Sequence, residues 1–171
     1  MKHLVTMGLS AAVAAQIVIL SGMYVVAALP LWTGKEVALK VMPVDPRSMF
    51  RGNYARLRYE ISAIDKKFFT VTEGLRSGEI VYVVLEPDTD GLYRHSAVVL
   101  DKPGSGVFVR GRIQESYPNQ DSRYSIRYGI EAFFAPKEKA IALEERLRAG
   151  TVAVLMVSDD GRARIKDVID S

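Results

Sequence analysis

The chain has no cysteine. That removes disulfide staples, thiolate nucleophiles and cysteine-held metals at once. Histidine is nearly as scarce: His3 stands at the N-terminal end and His95 is alone on an apolar strand pattern. A lone strand histidine serves neither a triad nor a histidine-ligated metal. There is no block of lysine and arginine of the kind that tracks phosphates, although 23 basic and 20 acidic residues leave a formal charge of +3, so nucleic acid is not an expected partner. A glycine-rich phosphate loop is missing too, because Gly104-Ser105-Gly106 leads into a strand pattern and not a helix. Asp88-Thr89-Asp90-Gly91 carries a fragment of a calcium loop without the remaining oxygen ligands. No metal and no cofactor is expected.

What the sequence does have is a long run without charge. From Leu4 to Trp32 no side chain is ionisable as an acid or base except the phenol of Tyr24. About 20 apolar residues cross the ~30 Å hydrocarbon layer, so this run is long enough to span with some tilt. Tyr24 and Trp32 carry polar tips suited to the headgroup region, and Pro30 and Gly34 mark the exit. Lys2, His3 and the amino terminus favour the cytoplasmic side, whereas Lys35 is offset by Glu36. The expectation is a bacterial inner-membrane, single-pass protein: an anchor over 1–34, N-terminus in the cytoplasm, and one extracytoplasmic (periplasmic) domain over 35–171. The competing reading is a cleaved signal peptide ending near Val26-Ala27-Ala28, against which the apolar run is longer than the usual 7–15 residues. Gly8, Ala12, Ala15 and Gln16 share one helical face. Small residues let two backbones approach and an amide seeks a partner in lipid, so this face is a candidate contact for another membrane helix.

Beyond Glu36 the dominant period is two, the signature of half-buried strands. Val37, Leu39 and Val41 alternate with polar neighbours, as do Ala55, Leu57, Tyr59 and Ile61 across Asn53–Ile61. Glu79–Glu86 is nearly continuous in β-branched residues and reads as a central strand. Leu92–Leu100, Val107–Gln114, Tyr124–Phe134, Val152–Ser158 and Ala163–Ile169 bring the total to about eight. The segments Asp88–Gly91, Lys102–Gly106 and Asp159–Gly161 supply hairpin chemistry, which predicts antiparallel pairing. A helix is expected after Pro136, with Ala140, Leu143 and Leu147 on one face and Gly150 closing it. A shorter helical turn is expected around Ile64–Thr70. The predicted fold is mainly β (α+β): an antiparallel sandwich or partly open barrel with one packed helix, preceded by a single transmembrane helix.

The segment Pro43–Tyr54 is dense in backbone-fixing residues. Pro43 and Pro46 lock φ, Asp45 precedes a proline, and Gly52 permits a close approach. Arg47, Arg51, Arg56 and Arg58 lie within or next to it, and their guanidinium forks suit carboxylate or phosphate oxygens. The stretch Gly52-Asn53-Tyr54-Ala55-Arg56-Leu57-Arg58-Tyr59, with Pro-Val-Asp-Pro-Arg-Ser before it and Tyr128-Gly129-Ile130-Glu131-Ala132-Phe133-Phe134 later, resembles the GDYXXLXY family of membrane-anchored bacterial proteins. The family's acidic residue is Asn53 here. Asparagine serves a turn almost as well as aspartate, but it would not replace a carboxylate ligand or base. The resemblance implies an envelope location and association with multi-spanning membrane proteins, and it implies no reaction.

Three functional readings follow. The first is a non-catalytic envelope domain that binds an integral membrane partner through Asp45, Arg47, Ser48, Arg51, Asn53, Tyr54, Arg56 and Tyr59, with the Gly8/Ala12/Ala15/Gln16 face docking a helix. The second is a module capturing a small anionic ligand with the Arg47/Arg51/Arg56 group. The third is a membrane-tethered serine hydrolase using Ser48 with Lys102 as base, although Phe50 and Arg51 follow Met49 where a signal-peptidase-like site expects proline.

Overall fold

The computed structural model describes residues 2–42, 54–71, 75–114, 122–134 and 151–170. The apolar run forms one helix, α1, over Lys2–Thr33. Its stretch Val5–Leu29 has a mean hydropathy of 2.1 and is long and apolar enough to cross a membrane. Every side chain described along it is exposed except Ala28, which packs on the β domain.

Gly34 alone separates α1 from β1 (Lys35–Met42). The other strands among the described residues are β2 (Tyr54–Arg56), β3 (Arg58–Tyr59), β4 (Ala63–Asp65), β5 (Ile80–Pro87), β6 (Tyr93–Val99), β7 (Val107–Ile113), β8 (Arg123–Arg127), β9 (Ala132–Phe134), β10 (Thr151–Val157) and β11 (Ala163–Asp170). They form a four-stranded sheet ordered β11-β10-β1-β3, a five-stranded sheet ordered β4-β8-β7-β5-β6, and a two-stranded ribbon of β2 and β9. Among the described residues every pairing between these strands is antiparallel, and one isolated parallel bridge joins Phe69 to Val98. The chain is therefore a mainly β protein behind one long N-terminal helix.

The period-two pattern places the core. Val37, Leu39 and Val41 of β1, Val81, Val83 and Leu85 of β5, and Val109 and Ile113 of β7 are all buried in one cluster with Ala153 and Leu155 of β10. A strand flanked on both edges and packed on both faces reads as a continuous apolar run. β10 fits that description: it lies between β11 and β1, and Thr151 through Leu155 are all buried.

Three local expectations change. Asn53–Ile61 is not one strand: β2 pairs with β9, β3 pairs with β1, and Glu60–Ser62 forms a 3-10 turn. Tyr124–Phe134 breaks likewise between β8 and β9, at Gly129 with φ 82°. The loop Lys102–Gly106 is no hairpin, because β5 stands between β6 and β7 and the loop arches over its end. By contrast, β5–β6 and β10–β11 are true hairpins, turning at Gly91 and Gly161 with φ 79° at each. The expected helical turn around Ile64–Thr70 is a 3-10 turn at Lys66–Phe68. The helix expected after Pro136 lies outside the described residues.

Candidate functional site

The two motifs that carry the family resemblance meet in space. Leu57, Tyr59 and Ile61 from the first and Ile130 from the second are buried in the common core. The chain crosses between sheets at Leu57, whose N–H donates to the Glu131 carbonyl at 2.8 Å. Two phenols then clasp the motifs reciprocally. Tyr59 Oη donates to the Ile130 carbonyl at 2.7 Å, and Tyr128 Oη donates to the Ile61 carbonyl at 2.6 Å. Buried carbonyls need partners, and each phenol satisfies one contributed by the opposite motif.

The turn that aims this second motif is held by a carboxylate. Glu131 accepts from the Tyr128 N–H at 2.5 Å and from the Gly129 N–H at 2.9 Å, one with each oxygen. Gly129 has the positive φ that this tight reversal requires. On the first motif, the Tyr59 N–H donates to Ser62 Oγ at 3.0 Å and closes the 3-10 turn that follows.

Burial, and then the nearby charge of Glu131, pushes both phenols above their ordinary range. They stay protonated and act as donors, so neither is placed to serve as a base. Tyr59 is only 1% exposed. Its part in the signature is therefore to fix the segment, and the side chains left outward around it, Arg58 and Glu60, are the ones a ligand could touch.

Outward from the clasp lies an ionic cluster that the sequence reading did not assemble. Arg94 on β6 pairs with Asp88, with Asp90 at 3.0 Å, and with Glu60 at 3.6 Å. Asp88 and Asp90 also accept the Thr89 and Leu92 amides at the hairpin tip, at 2.7 and 2.9 Å. The Thr89 amide and then Arg94 hold the Asp88 carboxyl below its ordinary value. A cation already occupies the centre of these carboxylates. The signal was present in the sequence as Asp90 and Arg94 four apart across a predicted turn. Beside it, His95 sets its ring edge-on to Phe68, with centroids 4.6 Å apart. Burial draws its pKa down against the opposing pull of Glu60 and Asp65.

Of the remaining candidates, Asp45, Arg47, Ser48, Arg51 and Asn53 lie outside the described residues. Tyr54 and Arg56 are on β2, opposite Phe134 and Ala132 of β9. Gly8, Ala12, Ala15 and Gln16 are all exposed on α1. Lys102 shares a cleft of about 540 Å³ with Lys35 and Ser158. That cleft is at the Lys35 end of β1, whereas residue 43 follows Met42 at the other.

No curated protein and no solved structure matches the chain. The GDYXXLXY family model matches residues 16–168, from the middle of α1 nearly to the end of β11. With both motifs joined in a single clasp and the match running through almost the whole chain, the protein belongs to the GDYXXLXY family.

Proposed function

We propose that the chain is a non-catalytic, single-pass envelope protein that acts by binding an integral membrane partner, with its N-terminus in the cytoplasm and its β domain on the periplasmic side of the inner membrane. One observation carries this reading: a helix able to span a bilayer enters β1 across Gly34 alone. A domain on so short a connection stands at the membrane surface. The eight residues of β1 extend about 26 Å at ~3.3 Å per residue. Met42, the last residue described before the segment, is thus within about 26 Å of the end of α1, which favours a membrane-resident partner over a freely diffusing one.

The clasp supports the same reading. It fixes the end of the segment through Leu57 and Tyr59, and preorganised surfaces bind with less ordering cost. On α1, Gly8, Ala12, Ala15 and Gln16 are uncovered, available to a second membrane helix. Arg47 and Arg51 are the proposed charge contacts of the segment.

The test is co-purification from detergent-solubilised membranes. The full chain is compared with a copy carrying R47A and R51A and with one in which 45–54 is a neutral turn. Recovery of a specific integral membrane protein by the parent, and its loss with either variant at unchanged thermal stability, is the expected result. Equal recovery by all three chains would remove the segment as the contact.

A further inference from the structure

The last turns of α1 face a group of five arginines. A cleft of about 880 Å³ lies between Gly22, Met23, Val26 and Ala27 on the helix and Arg110, Arg112, Arg127, Arg162 and Arg164 on the domain. The arginines come from β7, β8 and the β10–β11 hairpin, from both sheets. What joins the sheets there is the Arg110 N–H, which donates to the Gly161 carbonyl at 2.7 Å. Gly161 packs so close to Phe108 and the Arg110 backbone that a side chain would not fit. The β10–β11 hairpin that carries Arg162 and Arg164 is thus held against β7, which carries Arg110 and Arg112, by backbone contact.

Among the described residues most of this charge has no close counter-charge. Arg162 pairs with Asp160 at 3.0 Å and Arg127 approaches Glu131 at 3.9 Å. Arg112 donates to the Gly78 carbonyl, which removes none of its charge. Arg110 and Arg164 have no ion-pair partner among the described residues. Like charges gathered without counter-charges repel, and such a group is stable in company with an anion.

The helix tells where that anion would come from. Its 32 residues extend about 48 Å at ~1.5 Å each, more than the ~30 Å hydrocarbon layer and comparable with the ~40–45 Å that includes the headgroups. Gly22 is about 30 Å along from Lys2. Counted from Leu4, where the uncharged run begins, about 20 residues cross the ~30 Å hydrocarbon layer and reach Tyr24, so Gly22–Ala27 straddles the second boundary between hydrocarbon and headgroups, a level suited to the Tyr24 phenol. The five arginines line the cleft beside the helix near that height, where lipid phosphates lie. Guanidinium forks match phosphate oxygens in pairs.

We infer that this cleft binds the headgroups of anionic phospholipids, seating the β domain on the membrane beside its own helix. The inference rests on α1 crossing a bilayer and is independent of the protein partner.

Trp32, the only tryptophan in the chain, lies in the last turn of α1, between one and two turns beyond Ala27 of the cleft, and reports on the lipids around the helix exit. The full chain is reconstituted in vesicles of phosphatidylcholine and phosphatidylglycerol in equal parts. Energy transfer from Trp32 is then measured to dansyl-labelled phosphatidylglycerol and, separately, to dansyl-labelled phosphatidylcholine. Anionic lipid enriched roughly fivefold around the helix exit is expected, the factor that one basic side chain's attraction to an anionic surface provides. Raising the salt from about 0.1 M to about 1 M shortens the screening length from ~10 Å to ~3 Å and should abolish most of the preference. The R110Q/R162Q/R164Q variant should lose most of it at low salt. Equal transfer to the two probes in the parent chain overturns the inference with no variant needed, as does a preference that survives the triple change in a folded protein. Absence of transfer to either probe would instead overturn the membrane-spanning reading of α1, and this inference with it.

Discussion

Tyr59 and Glu60 are consecutive residues that belong to two different polar networks. Tyr59 joins the clasp, in which phenols and amides meet carbonyls and one carboxylate inside or at the edge of the core. Glu60 joins the Arg94 cluster, in which three carboxylates surround one guanidinium in contact with water. On paper the ionic cluster is the stronger, since it holds full charges at short range. In the folded protein the order reverses. Water replaces exposed ion pairs at little cost, whereas a buried carbonyl deprived of its donor has no substitute. The difference teaches that burial, and not formal charge, ranks these networks.

The sharpest way to break the comparison is at the apolar floor of the clasp. Leu57 is 2% exposed and sits where the chain passes from β2 to β3. Leu57→Ala leaves a cavity and is expected to cost about 2–5 kcal/mol. Denaturant unfolding of the full chain in detergent, followed by circular dichroism, measures it. A loss below about 1 kcal/mol would show that the motif junction collapses freely and holds little of the fold.

That junction also marks where the sequence stops being legible. The alternation through Leu57, Tyr59 and Ile61 correctly gives the buried face, because period two reports which side of the chain is dry. It does not report hydrogen-bond partners, so it runs unbroken through Leu57 although pairing changes there from β9 to β1. The same limit applies to the loop Lys102–Gly106, whose turn residues read as a hairpin. Whether β7 returns beside β6 or on the far side of β5 is decided by long-range packing. The antiparallel class, the central place of β5 and the two true hairpins were legible because each depends on local pattern. The arginine cleft was not. Its members lie as far apart as Arg110 and Arg164, and no window of the sequence contains them together.

A finer cut at the clasp is Tyr59→Phe, which keeps the ring and removes only the donor to the Ile130 carbonyl. Leaving a buried acceptor unsatisfied is expected to cost about 1–3 kcal/mol. The variant should stay folded and lose denaturant midpoint without a change in slope, since the area exposed on unfolding is unchanged. An unchanged midpoint would mean that the Ile130 carbonyl finds another donor, and the buried network would then rank no higher than the exposed one.

The smallest effect is expected from Arg94→Ala, which strips the cation from three carboxylates at once. All four side chains are about two-fifths exposed, so water and salt take over, and the midpoint at neutral pH should move no more than for an ordinary surface substitution. The signature is in the acid limb. Asp88 has a folded-state pKa below its unfolded value, held there first by the Thr89 amide and then by Arg94. Its contribution is present above the unfolded pKa near 4 and is lost as pH falls through the folded one. Unfolding midpoints measured between about pH 5 and pH 2 should therefore fall less steeply in the variant than in the parent. The slope should shrink without vanishing, because the Thr89 amide remains to stabilise the carboxylate. A large loss at neutral pH would mean that the cluster is shielded from water after all, and the ranking of the two networks would have to be drawn again.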